Sequence, residues 1–259
     1  MKRLLLLAPL LIVAAPLPGL AKQAPRPDIA AAVAAPGRAA SDIKLDDSRK
    51  PAEVLAFAGL KPGMSVGDVM AGAGYWTEIM ARVVGAKGKV VAYEPSQFMP
   101  TEAKDKAVWT GLIARNPNVT QVAYPFDAFA APAGSLDLVM MNLVYHDLYW
   151  ESAQFKVPRT DPAAFLRVLY KAVKPGGTVM VIDHVATPGD TRATVEKVHR
   201  IDPAVVKADF KAAGFVLDGE SDMLRNAGDD HSKLVFDPSV RGKTDRFVFR
   251  FRKPKARRS

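Results

Sequence analysis

The most polar strand end in this chain is Asn142-Leu143-Val144-Tyr145-His146-Asp147. An imidazole has a reference pKa near neutrality, so His146 suits a general base. Asp147 can orient it or bind a substrate, and Tyr145 can stack on an acceptor or hydrogen-bond to it. The alternative is that these residues cap the following helix and hold the loop. A second group is Asp68-Val69-Met70-Ala71-Gly72-Ala73-Gly74-Tyr75, an apolar run that ends in a glycine turn before helical spacing. Glycines let a ligand approach the backbone, and a helix start presents free N–H groups to an anion. Glu94 follows the next apolar run, 20 residues beyond Gly74, where a carboxylate can accept from both ribose hydroxyls. In this order the turn and the acid point to a nucleoside-containing cofactor.

Asp183-His184 ends another apolar run and offers a second acid–base pair, or a structural histidine. His199 reads as a packing or salt-bridge residue. Asp183, His184, Asp229, Asp230 and His231 match no metal-ligand spacing, so no metal site is expected.

The elements that must hold these groups alternate. Helical spacing covers 51–60, 75–84, 102–115, 162–173 and 203–213. Short apolar strands fall at 64–69, 89–93, 119–123, 136–142 and 178–183, with a sixth from 215. Arg246 to Arg252 alternates strictly and makes the last strand. Repeated strand–helix units predict an α/β fold with a parallel, doubly wound sheet, its ligand outside the carboxyl ends of the strands.

These residues carry a resemblance. Ser65 to Gly74 resembles the first motif of class I S-adenosylmethionine-dependent methyltransferases. Lys174-Pro175-Gly176-Gly177 resembles their turn into the fifth strand, and Gly134 to Val139 their approach to the fourth. Tyr145-His146-Asp147, His199 to Asp202 and Gly242 to Phe247 are similar to a group of exported bacterial methyltransferases. The resemblance covers roughly residues 49–252. It implies a Rossmann-like sheet of seven strands, mostly parallel, with an antiparallel last strand beside the fifth. It implies S-adenosylmethionine as cofactor and a small-molecule acceptor, without identifying it. Asp68 would approach the methionine amine. The backbone of Ala71, Gly72 and Gly74 would pass the methionine and ribose. Glu94 would hold the ribose diol, Asp127 would lie near the adenine amino group, and Asn142 would line the methyl-transfer end. Catalysis would fall to His146, Asp147 and Tyr145. Met70 departs from the motif, standing where the first glycine usually stands.

Composition bounds the rest. The chain has 259 residues and no cysteine, which excludes a disulfide scaffold, a thiolate metal site and a cysteine nucleophile. The net charge is +9, but eight of the 36 Lys and Arg sit at the two extremities. Without those eight the chain is almost neutral, so nucleic acid is not an expected partner. The basic tail offers a weak contact for an anionic membrane surface. Residues 1–21 read as a signal peptide: Lys2 and Arg3, a proline-broken apolar run, then small residues at Gly19 and Ala21. That predicts export, to a bacterial periplasm. Residues 22–48, rich in Ala and Pro, read as a linker or loose arm, with the domain at 49–259. A non-catalytic nucleoside-binding or interaction protein on the same scaffold is the competing expectation.

Overall fold

The computed structural model describes residues 27–255. The expected signal peptide lies outside the described residues. Among those described, no helix is long and apolar enough to cross a membrane.

The expected loose arm is folded from Pro27 onward. It forms α1 (Pro27–Ala34), α2 (Ala40–Ile43) and α3 (Asp46–Arg49) before α4 (Pro51–Ala58). Alanine-rich composition misleads here because Ile29 and Ala32 share one helix face and are buried in the main core. Arg38 then clamps the arm. Its guanidinium donates to both Asp46 carboxylate oxygens, at 2.7 and 2.8 Å, and to the Val33 carbonyl.

The alternation beyond the arm follows the sequence closely. It runs β1 (Ser65–Val69), α5 (Tyr75–Val84), β2 (Lys89–Pro95), α6 (Ala103–Arg115), β3 (Val119–Tyr124) and β4 (Leu136–Asn142). Then come α7 (Pro162–Ala172), β5 (Val173–His184), α8 (Thr191–Val198), α9 (Pro203–Ala212), β6 (Val216–Ser221) and β7 (Arg246–Arg252). β5 begins five residues before the expected strand, because Val173 already pairs with Leu136 across a register shift.

The strands form one seven-stranded sheet in the order β3-β2-β1-β4-β5-β7-β6. β1 to β5 run parallel, and β7 enters antiparallel between β5 and β6. The alternation of β7 explains its place. Phe247, Phe249 and Phe251 enter one core layer with Phe165 and Phe210, while Val248 enters the opposite layer with Met180 and Ile182. Phe210 stacks on Phe251 with ring centroids 4.1 Å apart. Part of the basic tail is structural: Arg250 and Arg252 both pair with Asp218, and Lys253 donates to the Tyr170 and Val173 carbonyls.

Strand order reverses between β1 and β4. Crossovers leave these two strands in opposite directions, so their carboxyl ends open a crevice that no connection covers.

Candidate active site

Two cavities lie at that crevice, and Leu143 lines both. The first, of about 240 Å³, is floored by the glycine turn after β1 and bounded by Asn142 at the end of β4. The second, of about 610 Å³, contains His146 and Asp147. The structure therefore separates the two groups of chemical residues while keeping them adjacent.

The turn holds an unusual backbone. Met70, Gly72 and Gly74 have φ of +53°, +57° and +86°. Met70 thus adopts the left-handed conformation that glycine takes without cost, at about 1–2 kcal/mol of strain. Its N–H is fixed 2.7 Å from the Tyr93 carbonyl, and its side chain both lines the first cavity and packs on the core. Leu143, at φ +60°, carries the same strain on the other side of the crevice, held by the Ile182 carbonyl at 2.7 Å. Such strain persists where surrounding structure enforces it, commonly at binding sites.

Asp68 ends β1 fully buried, and its carboxylate accepts from the Thr77 hydroxyl at 2.6 Å. Burial raises its pKa to about 7 against the lowering by Thr77 and Arg49. Glu94 lies beneath the turn, where Oε2 accepts from the Gly72 N–H at 2.9 Å. Burial pushes it up to about 7, the Gly72 bond opposing and the Asp68 charge adding. Trp109 donates to the Gly72 carbonyl at 3.1 Å, so this residue is held on both sides. Ala71 and Gly72 line the cavity, and Gly74 precedes α5, whose first turn has no side-chain cap. Asp127 sits exposed in the turn after β3 and does not line the cavity.

The far wall comes from the arm: Asp42, Leu45 and Arg49. Arg49 stacks over Tyr75, 4.3 Å from the ring centroid, and its charge acts on Asp68. Sequence reasoning missed these residues because the arm read as a linker. The apolar spacing of Ile29 and Ala32 was the signal available.

In the second cavity, His146 Nδ1 lies 2.8 Å from Asp183, which also accepts from the His146 backbone N–H at 2.9 Å. Its Nε2 lies 3.3 Å from Asp147. Burial works to lower the His146 pKa, but the two carboxylates outweigh it and raise it to about 9. Asp147, raised to about 6 by burial against the pull of His146, keeps 22% of its side chain exposed; His146 keeps 4%. The orienting carboxylate is therefore Asp183, read earlier only as a partner of its neighbour His184. His184 instead contacts the Thr244 hydroxyl at 2.7 Å, and burial takes its pKa down to about 3.

Tyr145 requires correction as a catalytic candidate. It is fully buried, lines neither cavity, and donates its hydroxyl to Asp209 of α9 at 2.8 Å. The chain turns after Leu143, so Tyr145 and His146 point to opposite sides. His199 proves to be more than packing, since it lines the second cavity beside Trp150. The 223–242 excursion forms a wall there through Leu234, Val235 and Phe236. It is pinned by the buried Arg200–Asp229 ion pair at 2.8 Å. Among the described residues, no group of three or more His, Cys, Asp or Glu could hold a metal ion.

The first cavity carries charged groups suited to an α-amino acid. An α-amino acid needs both charge signs in one place, and Asp68 and Arg49 provide them at the start of α5.

Residues 66–177 match the family model described as Methyltransferase domain. The ubiquinone/menaquinone biosynthesis C-methyltransferase UbiE of Hydrogenovibrio crunogenus is 26% identical over 129 residues, covering 50% of this chain and 45% of that protein. The chain thus spans about half the length of the curated relatives it matches. A SAM dependent methyltransferase from Aquifex aeolicus superposes with a TM-score of 0.55 at 21% identity, covering 83% of this chain and 94% of the other. The [4+2]-cyclase SpnF superposes with a TM-score of 0.54 at 19% identity, covering 85% and 84%. One fold thus carries more than one reaction. Residues 66–177 are thus similar to a methyltransferase domain, and the chain shares the fold of the solved structures that superpose on it.

Proposed function

We propose that this protein transfers the methyl group of S-adenosylmethionine to a small-molecule acceptor. The observation that carries this reading is the pair of cavities meeting at Leu143, one suited to the donor and one holding an acid–base group. When bound, the donor supplies an electrophilic methyl group on a sulfonium. The chain has to orient the reactants and receive a proton. Asp68 faces the donor's ammonium group and Arg49 its carboxylate. Glu94 acts on the ribose end through the turn it holds, since its Oε2 accepts from the Gly72 N–H beneath the cavity. Asn142, which lines the first cavity beside Leu143, would orient the methyl group toward the acceptor.

Calorimetric titration of the full chain with S-adenosylmethionine tests the reading. Micromolar binding is expected, weakened about tenfold or more in Glu94→Gln and in Asp68→Asn. The pH dependence has a definite sign. Asp68 and Glu94 have pKa values of about 7 in the free protein, and a cationic ligand favours their ionised forms. Affinity should therefore rise from about pH 5 to about pH 8, with proton release on binding. Absence of binding by the folded protein would favour the non-catalytic scaffold.

The N-terminal pattern at 1–21 further supports export. Cell fractionation should find a mature chain lacking those residues outside the cytoplasm. An intact N-terminus in the cytoplasm would exclude it.

A further inference from the structure

The methyl-transfer reading leaves the acceptor open, and the walls of the second cavity narrow it. Seven large apolar side chains are exposed among the described residues, and four of them line this one cavity. They are Phe98 at 38% exposure, Phe155 at 50%, Leu234 at 39% and Phe236 at 54%. They come from three separate segments, so the clustering is a property of the tertiary fold. Contiguous exposed apolar surface around a concave site marks a ligand that covers it.

The interior is built for flat groups. Trp150 meets His199 edge-on at 4.9 Å and tilts against Phe155 at 5.6 Å. Phe236 closes on the other side of His199 at 5.3 Å. Burial and the neighbouring His146 charge take the His199 pKa down to about 4, so its ring is neutral at pH 7.

Charge sets the polar end. Asp183 and Asp147 flank one imidazolium, so this trio nets one negative charge when Asp147 is ionised; Glu196 and Lys197, which also line the cavity, offset each other, and the balance disfavours an anionic acceptor. His146 lines the cavity, but both of its ring nitrogens already face carboxylates. Asp147 also lines the cavity and is the member whose side chain stays partly exposed.

We propose that the second cavity binds an apolar, ring-bearing, uncharged acceptor whose O–H or N–H donates to Asp147. Asp147 is then the catalytic residue, and His146 and Asp183 are positioning residues that hold it. The acceptor's heteroatom bonds to the methyl carbon as the methyl–sulfur bond breaks and leaves its electron pair on sulfur. The heteroatom's proton passes to the Asp147 carboxylate.

The assignment rests on the methyl-transfer reading but is tested without the donor. The full chain is titrated calorimetrically with 1-naphthol, 1-methoxynaphthalene, 1-naphthoate and 1-decanol. Saturable 1-naphthol binding is expected, about tenfold tighter than the methyl ether, which lacks the donor. That preference should collapse in Asp147→Asn, and exposed Phe236→Ser should weaken both naphthalenes. Tighter naphthoate would overturn the charge assignment, and tighter decanol the ring. No saturable binding, or unchanged preference in Asp147→Asn, would overturn the proposal outright. S-adenosylmethionine titration of the same preparation reads the first cavity separately, so failure of one site is distinguishable from failure of the other.

Discussion

Gly74→Ala should destabilise the protein by about 2–5 kcal/mol, while Gly72→Ala should mainly lose the donor. Both glycines have positive φ, so either alanine carries about 1–2 kcal/mol of left-handed strain. Their surroundings differ. A Cβ on Gly74 would fall 2.6 Å from Leu112 Cδ1 and 3.3 Å from the Trp109 ring. Both neighbours are buried and packed, so overfilling adds about 1–3 kcal/mol. A Cβ on Gly72 meets nothing within 4 Å. Because Gly72 lines the first cavity, its new methyl occupies space a ligand needs. Thermal unfolding should show a drop of roughly 5–15 °C for Gly74→Ala and a smaller one for Gly72→Ala. Titration with S-adenosylmethionine should show the larger affinity loss per unit of lost stability in Gly72→Ala. Equal stability losses would mean that Leu112 and Trp109 yield freely.

Asp46→Ala should cost about 3–5 kcal/mol and weaken the donor together with the fold. The Arg38 side chain is 1% exposed, and removing Asp46 strips its charge partner. Arg38 would keep only the neutral Val33 carbonyl, and the Tyr75 hydroxyl would lose its acceptor, now at 2.7 Å. The arm would then release Leu45 and Arg49 from the first cavity. Urea unfolding and donor titration of Asp46→Ala and Asp46→Asn check this. Asparagine keeps hydrogen-bonding capacity and should lose less than alanine. Unchanged stability in both would show that the arm contributes little to the domain.

The arm also marks the limit of the sequence. Strand–helix alternation, the glycine turn and the last-strand pattern were legible because each depends on residues a few positions apart. The periods of strand and helix are local, and so is the need for positive φ at Gly72 and Gly74. The carboxyl-end rule then located Asp68, Glu94, Asn142, His146 and Asp147 without coordinates, since strand direction alone places them on one edge.

Which way a side chain faces once it leaves that edge was not legible. Tyr145 and His146 are consecutive, yet one is buried against α9 and the other meets Asp183, 37 residues away. Asp46 reaches Tyr75 across 29 residues. Partners at such separations are chosen by how helices pack on the sheet, and the number of available acids and bases leaves the choice open in one dimension. The sequence by itself thus determined the fold class, the edge that carries the chemistry and the reaction type it resembles. Only the tertiary structure decided that an alanine-rich arm walls the first cavity, that Asp183 orients His146, and that four exposed apolar side chains from distant segments rim the second cavity. Burial and charge pairing are sums over the whole packed chain, and no local window contains them.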